Sequence, residues 1–376
     1  MPSVTPRLLT RSLAVATAML VGVEGGTRLD DWVRFGTPLT ARPIGMADLL
    51  IRDSLGVHGR PSVHFRKWRM NGLGMRGEEP RHGESVGAAR VLVAGASETF
   101  GLLESPGAEW PAQLQRELSA RCGPERPDVL NAAFAGMSLP TITQDLARRG
   151  AQLAPQWFVY YPTPAQFLEI ERPVAAERDT VTPRGNELPV FDWRFISRFR
   201  DQLRDALPVV VRQRYYEREI AMARAGQPDD WLFHAPPVER LAAFEADLRT
   251  LVGVAHGAGA KVVLVQHATY VDGPPPKGPR DADFRVVWNR FYPRATIDAL
   301  IATEAAAAEI VRRIAADSGA RVVDVRSSLH RDRDRLFSDQ SHLSDAGAAV
   351  VAQGVASILE AGGVCVKRTI PASPLP

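Results

Sequence analysis

Val91-Leu92-Val93-Ala94-Gly95-Ala96-Ser97-Glu98-Thr99-Phe100-Gly101 decides how this chain is read. A short apolar run between Arg90 and Gly95 suits a strand packed on both faces, placed at residues 90–94. Gly95 and Ala96 keep the following turn free of bulk, so Ser97 falls where the strand hands over to a helix. The first backbone N–H groups of a helix are unpaired and favour negative charge. A serine there has two readings. It is a nucleophile whose own N–H helps hold an oxyanion, or it is only an N-cap. This stretch alone favours the N-cap.

Working outward, similar apolar runs predict strands at 129–133, 157–161, 261–267 and 321–325. Helices alternate with them. Trp110, Leu114 and Leu118 share one helix face; Leu300, Ile301, Ile310, Val311 and Ile314 mark a second helix; Val350, Val351, Val355, Ile358 and Leu359 mark the last. This alternation implies an α/β fold with a parallel sheet covered on both faces. Ligands of such sheets sit beyond the carboxyl ends of the strands, which is where Ser97 lies. Residues 168–255, between the third and fourth strands, open with polar, proline-rich sequence from Arg172 to Pro189. A helical section follows with Phe195, Phe199, Leu203 and Leu207, and later Leu241, Phe244, Leu248 and Leu251. The later set is expected to pack on the sheet, and the middle to form an insertion over one edge.

A second chemical centre precedes the last helix: Phe337-Ser338-Asp339-Gln340-Ser341-His342-Leu343-Ser344-Asp345-Ala346-Gly347. If the segment turns once, Asp339 and His342 point the same way and the carboxylate reaches the imidazole. That contact fixes the tautomer and leaves the other ring nitrogen free to take a serine proton.

Other classes fit less well. At 376 residues and a net charge of +3, with no basic stripe, the chain gives no sign of binding nucleic acid. His58, His64, His82 and His234 show no metal-ligand spacing. His267, ending the fourth predicted strand, reads as a satisfied structural histidine. Gly95–Gly101 lacks the second glycine of a dinucleotide fingerprint, and Thr99 replaces the last glycine of the Gly-x-Ser-x-Gly elbow. Cys122 and Cys365 are either a pair or two free thiols.

Residues 1–30 stand apart. Arg7 and Arg11 precede the apolar run Leu13–Val23, which is short for a membrane span. The reading is a signal anchor with the bulk of the chain outside the cytoplasm, a cleaved signal peptide standing close behind and a buried helix third. Residues 31–370 form the main domain, with residues 371–376 a disordered tail. Asn71-Gly72-Leu73-Gly74-Met75-Arg76-Gly77 reads as a loop.

Taken in order, Gly95-x-Ser97, Asn131 to Gly136 and Asp339-x-x-His342 resemble the SGNH (GDSL-like) hydrolase superfamily. Asn71–Gly77 resembles the Asn-x-x-Gly-x-Arg-Gly element of its bacterial, membrane-anchored members. The resemblance covers residues 68–362 with gaps. It implies a flavodoxin-like three-layer α/β/α sandwich around a five-stranded parallel sheet, and ester chemistry with neither metal nor cofactor. Ser97 is then the nucleophile, His342 the general base and acid, and Asp339 its orienting partner. The N–H groups of Ser97 and Gly136 form the oxyanion hole. Three departures stand out. Ala96 replaces the aspartate of Gly-Asp-Ser, and Ala133 stands where related chains have glycine. Tyr161-Pro162-Thr163-Pro164-Ala165-Gln166 replaces Gly-x-Asn-Asp, leaving Thr163 or Gln166 to substitute for the lost asparagine donor.

The expectation is an extracytoplasmic serine esterase, on the periplasmic face, removing acyl (above all acetyl) groups from a carbohydrate ester. The alternatives are an O-acetyltransferase of surface polysaccharide using the same triad, and a non-catalytic glycan-binding or assembly subunit. The expected partners are an acylated carbohydrate, the membrane through the N-terminal segment, and polysaccharide-assembly proteins.

Overall fold

A computed structural model describes residues 6–35, 38–40, 49–53, 56–80, 89–123, 126–169, 194–196, 199, 208–273 and 278–365. The chain opens with helix α1, Pro6–Phe35. Two antiparallel hairpins follow, β1 (Leu50–Asp53) with β2 (Gly56–Gly59) and β3 (His64–Phe65) with β4 (Trp68–Arg69). Then come β5 (Arg90–Gly95), α2 (Ser97–Phe100), α3 (Trp110–Cys122), β6 (Asp128–Asn131), α4 (Leu139–Leu153) and β7 (Trp157–Tyr161). The second half holds α5 (Val209–Arg224), α6 (Val238–Gly257), β8 (Lys261–Val265), α7 (Pro279–Phe291), α8 (Ile297–Ser318) and β9 (Arg321–Val323). Two short helices, α9 (Arg326–Arg331) and α10 (Arg333–Leu336), lead to the last, α11 (Asp345–Ala361).

The main sheet has the order β6-β5-β7-β8-β9, every pair parallel. This is the flavodoxin-like doubly wound order, with β5 second in the sheet, between β6 and β7, at the point where the winding reverses. Alternation along the strands divides the core. Val91, Val93, Trp157, Val159 and Tyr161 face one side, where Trp110, Leu114 and Leu118 of α3 meet Val351, Val355 and Leu359 of α11. Leu92, Ala94, Phe158 and Tyr160 face the other, against Ile142 and Leu146 of α4, Phe244, Leu248 and Leu251 of α6, and Ile310, Val311 and Ile314 of α8. A fully buried leucine such as Leu114 contributes about 1.5–3 kcal/mol over an exposed one. The three-layer α/β/α sandwich is therefore present.

The strands differ from the sequence reading at their ends. β6 stops at Asn131 rather than residue 133, because Asn131 turns the chain: its Oδ1 accepts the Ala133 N–H at 3.1 Å. β8 and β9 stop at Val265 and Val323, two residues short of expectation. At the edge, β9 has only β8 to pair with. α6 is the crossover helix between β7 and β8, so the expected insertion ends before residue 238. Residues 171–193, Leu203, Leu207 and the tail at 371–376 lie outside the described residues.

The two cysteines are bonded to each other, tying the end of α3 to the segment after α11. At the other end of the chain, α1 meets the 194–196 segment: Arg194 reaches Asp31 at 3.1 Å, and the Phe195 N–H donates to Glu24 at 3.2 Å. Among the described residues no helix is long and apolar enough to cross a membrane.

Candidate active site

Ser97 lies just past the carboxyl end of β5, as the first residue of the four-residue helix α2. Ala96 is the N-cap, with no side-chain bond, so the reading of Ser97 as a cap does not hold. The Ser97 hydroxyl instead donates to Glu98 Oε2 at 3.3 Å. Gly95 is required for close packing: a Cβ there would stand 2.2 Å from Thr99 Oγ1 and 2.9 Å from the Tyr161 carbonyl oxygen.

The turn after α2 is held from outside the sheet. Arg76, buried, donates to the Phe100 carbonyl and to the Gly101 carbonyl at 2.5 Å, and pairs with Glu109 at 3.1 Å. The segment read as a plain loop is thus a buttress for the Ser97 turn. Its residue types follow from its geometry. Asn71 Oδ1 accepts the N–H groups of Leu73 (2.9 Å) and Met75 (3.0 Å), and Gly74 takes φ +69°. A Cβ on Gly74 would come within 2.0 Å of the Gly59 carbonyl oxygen.

Asp339 and His342 sit between α10 and α11. Asp339 Oδ1 accepts the N–H groups of Ser341 (2.9 Å) and His342 (2.7 Å), which folds the loop back on itself. Its Oδ2 lies 2.8 Å from His342 Nδ1, the predicted pairing. A carboxylate only accepts, so Nδ1 carries the proton and Nε2 is the basic nitrogen when the ring is neutral. His342 Nε2 is buried and has no hydrogen-bond partner among the described residues. The Ser97–His342 hydrogen bond is therefore not made, since the serine proton goes to Glu98.

The two loops do meet. The Ser105 N–H donates to Asp345 Oδ1 at 2.8 Å, a contact across 240 residues, and Gln113 Nε2 donates to the Asp345 carbonyl at 2.8 Å. His342 is also close enough to feel the charges of Glu98 and Glu104, which flank the nucleophile turn. Burial alone would lower its pKa, but the Asp339 hydrogen bond and charge, then Glu98 and Glu104, lift it to about 9.

Among the described residues neither the Ser97 N–H nor the Gly136 N–H makes a backbone hydrogen bond, the state an oxyanion hole requires. They stand beyond the ends of the adjacent strands β5 and β6, and Gly136 holds φ +79°. Thr163 and Gln166 fall after β7, in the turn that replaces the expected third block. The Thr163 hydroxyl donates to Glu98 Oε2 at 3.3 Å, so its one proton is spent there and it is not an oxyanion donor in this state. The Gln166 N–H donates to the Thr163 carbonyl at 3.2 Å, and its side chain forms no hydrogen bond among the described residues.

Sequence reading missed the residues behind the serine. Glu98 is buried, with His267 Nε2 3.9 Å from its Oε1. His267 Nδ1 in turn lies 2.7 Å from Glu304 on α8. The expectation of a satisfied histidine is met only at Nδ1: Nε2 is buried with no hydrogen-bond partner among the described residues, and the ring is held between two buried carboxylates beside Ser97. Burial would lower its pKa; Glu304 and then Glu98 raise it to about 10. Burial would likewise raise Glu98, but the His267 imidazolium 3.9 Å away and the charge of His342 hold it down at about 2. The one sequence signal was Glu98 itself, a charge beside Ser97 in a turn flanked by Ala96 and Phe100. Among the described residues no group of histidines, cysteines and carboxylates is arranged to hold a metal.

No protein-family model matches the sequence, and no curated protein matches it. Solved structures do resemble it. An α/β hydrolase enzyme from the metagenome of Lake Arreo, Spain, is 15% identical, covering 76% of this chain and 100% of that one, with a TM-score of 0.42. A lipase/acylhydrolase from Enterococcus faecalis is 13% identical over 76% of this chain and 100% of its own, TM-score 0.40. Axe2, an acetylxylan esterase from Geobacillus stearothermophilus, is 15% identical over 77% and 100%, TM-score 0.39. These likenesses concern the fold.

Proposed function

We propose that this chain is a serine esterase of the SGNH type, acting through an acyl-serine intermediate. The observation that carries the reading is the Asp339–His342 pair, with its basic nitrogen buried and unpartnered among the described residues, just ahead of α11, whose first residue is bonded to Ser105 in the segment after α2. Ser97 Oγ attacks the ester carbonyl carbon as its proton passes to His342 Nε2. Asp339 keeps the imidazolium in place, and the Ser97 and Gly136 N–H groups receive the charge on the carbonyl oxygen. The tetrahedral species collapses, the leaving alcohol takes the proton from Nε2, and water then releases the acid by the same steps in reverse order.

The substrate class we favour is an acetylated carbohydrate outside the cytoplasm. The Cys122–Cys365 bond supports an oxidising compartment. Exposed Val15, Met19, Val21 and Val23 on α1 support attachment of that end to a lipid surface. An acceptor sugar hydroxyl in place of water would make the same acyl-enzyme an O-acetyltransferase.

The test is acetate release from an aryl acetate and from acetylated xylan by the full chain in detergent. Ser97→Ala should abolish both. Equal labelling of wild type and Ser97→Ala by a fluorophosphonate would remove Ser97 from the mechanism.

A further inference from the structure

The mechanism above leaves one buried ionisable cluster unused, and it lies directly behind the nucleophile. Glu98 Oε2 receives two hydroxyl protons, from Ser97 and from Thr163, each at 3.3 Å. Its other oxygen faces His267, which Glu304 holds from the far side at 2.7 Å. All three charged side chains are at most 4% exposed. A lone buried carboxylate is costly, so this one persists only because hydroxyls and an imidazolium surround it.

We propose that Glu98 is a positioning residue: its anchored carboxylate parks the Ser97 hydroxyl away from His342 and, by its charge, keeps the proton on His342 in the resting protein. The inference rests on Ser97 being the nucleophile. A serine hydroxyl has one proton to donate, so it serves either Glu98 or His342 Nε2 at a given moment. The parked state satisfies Glu98, leaves Nε2 without a partner, and favours the protonated imidazole that cannot act as a base.

Other groups around Glu98 limit what else could produce the same effect. Thr163, Tyr160 and Tyr161 face it from β7 and the turn beyond; the burial of both tyrosines pushes their phenols well above the usual range, so they stay neutral. Tyr292, after α7, is partly buried, and its phenol is likewise pushed well above the usual range. His267, two residues past β8, faces it with Glu304 of α8 behind, and His342 acts on it from the loop before α11. Besides Asp339, which bonds His342 directly, Glu104, which burial pushes up to about 7 against His342, Arg76 and Lys67, also acts on His342. Glu98 alone touches the serine.

The experiment is the pH dependence of fluorophosphonate labelling by the full chain, comparing wild type, Glu98→Gln and Glu98→Asp, each first checked for native circular dichroism. In Glu98→Gln the midpoint of the acid limb should fall by about one pH unit, the low end of what a neighbouring charge imposes. Labelling at pH 7 should then rise about tenfold, because the neutral imidazole becomes that much more abundant. Glu98→Asp keeps the charge but withdraws the oxygens, so its midpoint should stay while its plateau at high pH rises. If Glu98→Gln folds and its profile overlays that of wild type, the proposal fails and the esterase reading stands. If Glu98→Gln does not fold, an unchanged or lower plateau in Glu98→Asp overturns it. Absence of Ser97-dependent labelling in wild type overturns both.

Discussion

The Tyr270 backbone N–H donates to the Gln340 carbonyl oxygen at 2.9 Å, fastening the segment after β8 to the loop that carries Asp339 and His342. Arg280 completes the fastening, donating to the carbonyls of Asp334 (2.6 Å) and Phe337 (2.9 Å) while lying over the Tyr270 ring. Its contact with the Asp334 carboxylate is exposed and long, so little stability rests on that ion pair. Arg280→Ala should therefore lower kcat several-fold by loosening the loop, at a stability cost of about 1 kcal/mol. Steady-state kinetics and urea denaturation on the same preparation separate the two effects.

Removing the orienting carboxylate should be more damaging. Asp339→Asn keeps an oxygen for the two backbone N–H groups but places an NH2 donor opposite His342 Nδ1, so the acceptor that fixes the tautomer is lost. Ester turnover should fall by about 10³–10⁴-fold, with a smaller change in KM. A loss of less than tenfold would show that His342 does not work through Asp339.

The raised pKa of His342 predicts an alkaline enzyme. The neutral base becomes abundant only near pH 9, so kcat/KM should climb from neutrality to a midpoint near there. Stability should move the opposite way. A group whose pKa rises from 6.5 to about 9 on folding contributes stability that is fully present below pH 6.5 and is lost as pH rises through 9. Thermal unfolding of wild type and His342→Gln between pH 6 and 10 would show the difference between them narrowing across that window.

Arg76 should matter for stability more than its distance from the chemistry implies. Its guanidinium and the Glu109 carboxylate are both buried, and either left alone is an uncompensated charge. Arg76→Met or Glu109→Gln should cost about 3–5 kcal/mol in chemical denaturation. Ser97 labelling should also slow, because the Phe100 and Gly101 carbonyls lose their donor.

The bond between Cys122 and Cys365 closes a long loop, the case in which a cross-link most restricts the unfolded chain. Cys122→Ser, or reduction of wild type, should lower stability by about 2–4 kcal/mol without altering the far-ultraviolet spectrum of the folded state. A melting temperature unaffected by reductant would show that the bond is not formed in solution.

Much of the sheet was legible because buried parallel strands carry unbroken apolar runs. Trp157–Tyr161 was predicted to the residue and is buried throughout. The errors fell at strand ends, where side chains such as Asn131 turn the chain and ladder bonds stop. Asp339 and His342 were legible because they act over three residues. Glu98, His267 and Glu304 were not, since their meeting depends on three separate elements converging below the serine turn. Thr163 shows the converse limit. Its position beyond β7 was readable, but the direction of its only proton was set by a neighbour that spacing did not reveal. The cysteines sit 243 residues apart, and no local pattern reports such a distance.

That same covalent tie makes a closed ring of the backbone between Cys122 and Cys365. Gly136, Asp339 and His342 lie within the ring, and Ser97 lies on the free strand leading into it. A protease that cuts once inside the ring yields two pieces that stay together as one molecule until a reductant is added. A cut between Ser97 and Cys122 severs the serine from the rest of its machinery at the level of covalent bonds.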